Sequence, residues 1–516
     1  MSQGRANWLL FGLLAVVPVA AAQDDNRRAR AEELYAEVEL ESAAEIYAEL
    51  VQASPDDADL RIRLAECLTR SDQFVEAREH AEVAVKLTSG GARALAELGL
   101  ALHRAGDFDA AEERLLEATE ADEDCGRCWW GLGRIVAIRG EYEEAGGHFQ
   151  RAASLEPDNP IYLRTLSPFV TERDKRKELY RRYLELPRAE ELPIWGNVRT
   201  WLALLEFAGE RRLNKVEIPD QGSTVRMETD RGMTYISVDV GGRKKRRYLF
   251  DTGASGFTIS AGLMRRLKLE PVDVFTITGI GGDGLAKTPM VLVDEVRVGD
   301  AVIRNVPAVV RDTAPMVDGL IGPAFFGGHS VTLDHEQGEL RIGGSNEQDQ
   351  PAEDTDKRRK KTRKNKTPRD TLEIPFLSIN GTPFIPIQVD GVTMNAMVDT
   401  GASQASLSMH AADQVPGLQL MAPNMAPPAY REIRGSTGTS LEVRVVRRAR
   451  LEFAGETLEM ASHLPDARRI LVRLNLTPLS HGFGTEVWAI LGNPQLSHYN
   501  LHIDWQRQVL QLTKFR

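Results

Sequence analysis

Cysteine is scarce: 516 residues hold three, Cys67, Cys125 and Cys128. So few exclude a disulfide-stapled scaffold. Cys125 and Cys128 form the single C-x-x-C, with no second such pair or His pair to complete a zinc set and no His behind it for haem attachment. A local disulfide, or two plain thiols, is what remains. The ten histidines include no H-E-x-x-H, the spacing of a zinc protease. No metal or other cofactor is expected. No internal apolar run is long enough to cross a bilayer. A basic excess is missing too: the net charge is −11, whereas a nucleic-acid binder concentrates positive charge. The glycine-rich run Thr278–Gly284 lacks a Lys-Ser/Thr directly after its last glycine and lacks βαβ surroundings, so it is no phosphate cradle.

What is present begins with an apolar stretch, Trp8 to Ala22, after Arg5 and ending in Ala20-Ala21-Ala22. This pattern predicts an export signal over residues 1–22, and hence a periplasmic or secreted protein. An uncleaved anchor is the alternative, and the only membrane contact expected. No Cys follows the run, so a lipoprotein anchor is not expected.

Residues 24–160 carry 32 acidic and 15 basic side chains, a net −17 that leaves +6 for the rest of the chain. This acidic part repeats every 34 residues. Ala43, Ala77, Ala111 and Ala145 keep that spacing, and Leu98-Gly99 recurs at Leu132-Gly133 and Gly106 at Gly140. Each unit reads as two amphipathic helices about a polar or glycine turn. The pattern resembles tetratricopeptide (TPR) repeats, which implies an all-α superhelix whose concave face takes a peptide or protein partner. A plain spacer is the other reading. Residues 161–212 continue as helices expected to cap the array, giving a helical domain over 24–212.

From about Val225 the period becomes strand-like. Two stretches dominate this half: Asp251-Thr252-Gly253-Ala254-Ser255 and Asp399-Thr400-Gly401-Ala402-Ser403, each after a short apolar run. Downstream, Leu320-Ile321-Gly322 precedes Asp334 by the same twelve residues that separate Gly492 of Ile490-Leu491-Gly492 from Asp504. The matches at separate points predict a duplicated all-β unit, with lobes at 225–344 and 371–516. Between them, 345–370 is almost free of apolar residues and is expected to be a charged, disordered linker. The basic cluster Arg243–Arg247 is expected in a solvated hairpin turn.

Asp-Thr-Gly after an apolar strand, with a downstream aliphatic-aliphatic-Gly, resembles the retropepsin-like branch of the aspartic peptidases, here with both lobes in one chain. The resemblance covers roughly half the sequence. It implies a multidomain protein, a TPR superhelix followed by two acid-protease lobes, acting as an aspartic-type endopeptidase on protein or peptide. Asp251 and Asp399 would form the catalytic pair. Thr252 and Thr400 would brace the two turns across the lobe interface, Gly253 and Gly401 would offer N–H groups to the carboxyls, and Gly322 and Gly492 would pack beneath the loops. Flaps are implied around Gly279, Ile280, Gly281 and Gly282 in one lobe and Gly435 and Ser436 in the other. The chemistry agrees: two adjacent carboxyls share one proton, so one activates water while the other protonates the substrate carbonyl. Rival readings are a scaffold that grips a peptide without cutting it, and a dimer in which lobes pair between chains.

Overall fold

Small residues at fixed spacing shape the helical half. A computed structural model of the chain describes residues 19–515, apart from 38, 187–196, 231, 279–284, 312–315, 345–370, 423–431, 435–439 and 462–468. The expected linker thus lies outside the described residues, as do the first 18 residues of the expected signal. Helices α1 (Val19–Ala36) and α2 (Leu40–Ala53), α3 (Ala58–Arg70) and α4 (Phe74–Leu87), α5 (Ala92–Arg104) and α6 (Phe108–Ala121), and α7 (Gly126–Ile138) and α8 (Tyr142–Leu155) form four successive pairs. The four alanines are fully buried, one in each second helix. Gly99 and Gly133 serve the same packing: a Cβ there would sit 2.6 Å from Leu115 Cγ and 2.7 Å from Phe149 Cε1. The turns at Gly106 and Gly140 need φ of +80° and +77°, which only glycine adopts without strain. Asp57, Asp107 and Asn159 cap helix starts by accepting backbone N–H bonds at 3.1, 3.4 and 3.0 Å. Cys125 and Cys128 are disulfide-bonded at the start of α7, and Cys67 is a buried free thiol. Among the described residues no helix is long and apolar enough to cross a membrane.

The array continues through α9 (Pro160–Leu166), a 3-10 turn (Ser167–Phe169), α10 (Arg173–Glu185) and α11 (Asn197–Ala208). Helix α11, at the end of the array, is apolar on two faces. Val198 and Leu205 pack with Leu163, Tyr180 and Tyr183. Leu204 and Ala208 pack with Met290 and Leu292 of the β half.

The first lobe runs β1 (Lys215–Glu217), β2 (Ser223–Asp230), β3 (Met233–Val240), β4 (Arg243–Phe250), β5 (Thr258–Ser260), α12 (Ala261–Leu267), β6 (Asp273–Thr278), β7 (Leu285–Val298), β8 (Ala301–Arg311), β9 (Gly319–Ile321), β10 (Val331–Asp334) and β11 (Glu339–Ile342). The second runs β12 (Thr371–Pro375), β13 (Leu377–Ile379), β14 (Thr382–Val389), β15 (Val392–Asp399), β16 (Ala405–Ser408), α13 (Met409–Gln414), β17 (Gln419–Leu420), β18 (Glu432–Arg434), β19 (Ser440–Glu442), β20 (Arg444–Phe453), β21 (Glu456–Ala461), β22 (Leu471–Leu474), α14 (Thr477–Phe483), β23 (Ala489–Gly492), α15 (Asn493–Leu496), β24 (Tyr499–Asp504) and β25 (Val509–Lys514). Burial alternates along β3, with Ile236, Val238 and Val240 inside. The basic cluster lies on strand β4, not in the turn, which Gly241 and Gly242 make at positive φ. Arg243 to Lys245 remain exposed there, as the outer face of a hairpin allows.

One sheet joins the lobes, in the order β2-β11-β10-β24-β25-β12. At its centre β10 and β24 pair antiparallel, Val331 with Ile503 and Leu333 with Leu501. Asp334 and Asp504 end these two strands and are occupied in turns: Asp334 accepts from Gln337 N–H and Asp504 from Gln506 N–H. A single apolar core extends through both lobes, from Val238 and Phe250 to Val398 and Leu491.

The array also meets the second lobe. Trp488 Nε1 donates to Ala105 O at 2.7 Å, Thr485 Oγ1 to His103 O at 2.9 Å, and Arg134 Nη2 to Gly484 O at 2.7 Å. Leu98, Leu102 and Leu132 of the array share one buried cluster with Phe384, Met397 and Ile490 of the lobe.

Candidate active site

Each Asp-Thr-Gly turn leaves a strand that is fixed on its far side by the aliphatic-Gly element. β4 pairs parallel with β9, placing Phe250 beside Ile321. β15 pairs parallel with β23, placing Asp399 beside Gly492. The glycines at these places are steric requirements. A Cβ on Gly322 would lie 1.8 Å from Ala254 O, and one on Gly492 would lie 2.5 Å from Gln404 O. Both clashes are with backbone, which has no rotamer to yield.

The two turns meet at the lobe interface through the threonines, which are fully buried. Thr252 N–H donates to Thr400 Oγ1 at 3.1 Å, and Thr400 N–H donates to Thr252 Oγ1 at 2.9 Å. The hydroxyls pass their own protons onward across the interface, Thr252 to Val398 O at 2.7 Å and Thr400 to Phe250 O at 3.1 Å. Four hydrogen bonds thus form a closed, two-fold pattern in which both buried hydroxyls and both N–H groups have partners. Its effect is to fix residues 251 and 399, which flank the threonines.

Within each loop the glycine N–H donates to the carboxyl, Gly253 to Asp251 Oδ1 at 2.9 Å and Gly401 to Asp399 Oδ1 at 2.8 Å. Each glycine also gives room to the opposite carboxyl: a Cβ on Gly253 would stand 2.7 Å from Asp399 Cγ, and one on Gly401 2.6 Å from Asp251 Cγ. The carboxyls themselves lie within hydrogen-bonding reach of each other. Asp251, Thr252, Gly253, Asp399, Thr400, Gly401, Gly322 and Gly492 therefore form one constellation within a single chain.

Burial raises the Asp251 carboxyl above its usual range, opposed by the hydrogen bond with Asp399, the Gly253 N–H and the Arg311 guanidinium. Burial pushes Asp399 well above its range, and the neighbouring Asp251 charge and hydrogen bond push it further. One proton held between the two is the outcome, and the Arg311 charge acts on the Asp251 side of the pair. Arg311, at the end of β8, is a residue that sequence reasoning missed. The available signal was a cation following the apolar run Val306–Val310 and preceding the Gly322 element.

The residues named for the flaps, Gly279, Ile280, Gly281, Gly282, Gly435 and Ser436, lie outside the described residues. The strands leading to them are described: β6 pairs with β7 on either side of the first segment, and β18 with β19 on either side of the second. Among the described residues no group of three or more His, Cys, Asp or Glu is arranged to hold a metal.

Two β lobes that bring Asp-Thr-Gly turns together over a shared sheet define an acid-protease architecture. Residues 236–325 match the aspartyl protease family model, and residues 34–87 and 96–160 match tetratricopeptide-repeat models. The chain thus carries N-terminal TPR repeats and a C-terminal retropepsin-like aspartyl protease domain. Human tetratricopeptide repeat protein 7A is 31% identical over 109 residues, which are 21% of this chain and 12% of that protein. Among solved structures, a thermophilic TPR protein of Thermus thermophilus is 20% identical with a TM-score of 0.30, covering 36% of this chain and 99% of its own. MamA is 18% identical with a TM-score of 0.23, covering 30% of this chain and 92% of its own.

Proposed function

We propose that the protein is an exported aspartic endopeptidase that hydrolyses peptide bonds with a water activated between Asp251 and Asp399, and that its TPR array recruits the substrate or a partner. The observation that carries this reading is the meeting of two intact Asp-Thr-Gly turns, each with its glycine and threonine partners in place. Neither turn is degenerate, which favours the hydrolase over a scaffold that only grips peptides.

In the first step Asp251 carboxylate takes a proton from water as the oxygen attacks the carbonyl carbon, and protonated Asp399 gives its proton to the carbonyl oxygen. The product is a neutral gem-diol held by both carboxyls. In the second step Asp251 returns the proton to the amide nitrogen, the C–N bond breaks, and a diol hydroxyl gives its proton to Asp399, restoring the starting state. No covalent enzyme intermediate forms. General acid–base assistance of this kind contributes about 10²–10⁴ in rate for each group.

The apolar N-terminal stretch supports export, and the helical repeats support recruitment, since stacked repeats present an extended surface to protein partners. The test is substitution. Asp251→Asn and Asp399→Asn are each expected to lower hydrolysis of denatured casein at least about 10³-fold. Because each change removes a buried ionisable group, the melting temperature should match or exceed that of the parent. Hydrolysis at the parent rate by either folded variant would overturn the shared pair.

A further inference from the structure

Strand β6 is an edge strand. It pairs with β7 on one side, from Asp273 with Met290 to Thr278 with Leu285. Among the described residues no strand pairs its other edge. A free edge presents backbone N–H and C=O groups from alternate residues, which need partners and invite wrong ones. Here the partners come from the last helix of the array.

Asn197, the first residue of α11, uses both ends of its amide on one residue of the strand. Its Nδ2 donates to Thr276 O at 2.7 Å, and its Oδ1 accepts from Thr276 N–H at 2.7 Å. A side-chain amide thereby makes the pair of bonds that a residue of an adjacent antiparallel strand would make. Two residues back along β6, the fully buried Thr200 donates from Oγ1 to Val274 O at 2.7 Å and to Asp273 Oδ2 at 3.1 Å. Trp201 sets its ring edge-on to Phe275, with centroids 6.0 Å apart. Leu204 and Ala208 close the contact against Met290 and Leu292 of β7. The same strand β6 touches α14 of the second lobe, so it stands where the array and both lobes meet. From there the connection to the site is short: β7 pairs with β8 at Met290 and Val309, and β8 ends in Arg311, whose charge acts on Asp251.

We propose that Asn197 and Thr200 are positioning residues for peptide hydrolysis, a clasp by which helix α11 stands in for a missing strand and sets the placement of the β6–β7 ladder against the two-Asp site. The array is then part of the substrate-binding geometry and not only a recruiting arm. This rests on the hydrolase reading above, and the experiment separates the two.

The full chain is compared with Asn197→Ala, Asn197→Asp and Thr200→Val by amide hydrogen exchange and by kinetics on fluorescein-labelled casein. Binding of the same casein is measured in the Asp251→Asn background, where hydrolysis is not needed for the readout. Asn197→Ala should speed exchange at the Thr276 amide at least about tenfold and raise KM, or the dissociation constant, about tenfold with kcat changed by less than about threefold. Asn197→Asp keeps the acceptor for Thr276 N–H but loses the donor, so its exchange should stay near the parent while KM rises part of the way. Thr200→Val should give a smaller rise in KM, since Val keeps the shape and loses only the hydroxyl. Unchanged Thr276 exchange in Asn197→Ala overturns the clasp. Faster exchange with unaltered KM and binding overturns the positioning role. A parent chain that binds casein without cutting it removes the hydrolase reading while the clasp is still decided by exchange and binding. A parent that neither binds nor cuts removes both.

Discussion

Arg311 gives the paired carboxyls an inequality that two identical turns would not have. Its guanidinium favours the ionised form of Asp251, while Asp399 stays protonated under burial and the neighbouring charge. In the proposed hydrolysis Asp251 is then the general base, and the acid limb of the pH–rate profile would report loss of its charge. Replacing the cation removes a force that lowers this ionisation, so the ionised form appears only at higher pH. Arg311→Leu should therefore move the acid limb of kcat/KM toward higher pH and leave the alkaline limb less affected. A pH–rate series on the parent and variant checks this; a limb that stays in place, or moves to lower pH, would contradict the assignment.

Among the helices, α7 is tied to its neighbours by a buried charge as well as by its packing. Arg127 reaches across to Glu97 on α5, with Nη2 on Oε2 at 2.8 Å, and to Glu66 on α3, with Nη1 on Oε1 at 3.3 Å. Both glutamates are almost fully buried, 1% and 5% exposed. Removing the cation leaves two carboxyls in a low-dielectric interior without their main counter-charge, which costs about 3–5 kcal/mol. Arg127→Leu should lower stability by about that amount in urea unfolding followed by helical circular dichroism, whereas Arg127→Lys should recover part of the loss. This network was invisible in the sequence, since Glu66, Glu97 and Arg127 look like any solvated charges on amphipathic helices. The repeat itself was legible because Ala43, Ala77, Ala111 and Ala145 report a local steric need at a constant spacing. The Asp-Thr-Gly turns and the Gly322 and Gly492 elements were legible for the same reason: a tight turn and a close backbone approach each restrict residue type locally. Asn197 carried no such mark. An amide at the start of a helix reads as a plain helix-start residue, and its partner lies 79 positions away.

At the scale of the molecule, the helical half and the second lobe share a buried seam. Phe384, Met397 and Ile490 cluster with Leu98, Leu102 and Leu132, and Trp488 and Thr485 bond to carbonyls at the end of α5 and in the turn after it. The sequence suggested separable parts, because its acidic excess ends near residue 160 and its period becomes strand-like from about Val225. Apolar seams between distant segments have no periodic signature of their own. Deleting residues 24–212 should expose the lobe's share of that seam, so the remaining two-lobe fragment should associate in gel filtration and lose near-ultraviolet circular dichroism. The intact chain should show loss of helical signal and of Trp488 burial in one thermal transition. Separate transitions, with a monomeric and folded fragment, would contradict this.

The sheet through β10 and β24 bears on how the site forms in the first place. In a protein built from two separate identical halves, meeting is second order in chain, and thinning the solution dissolves the site. Here both strands belong to one polypeptide, so the halves stay at a fixed effective concentration however few copies are present. Specific activity should then be flat on serial dilution. Under the proposed export into a large volume, the site would stay assembled in a lone molecule.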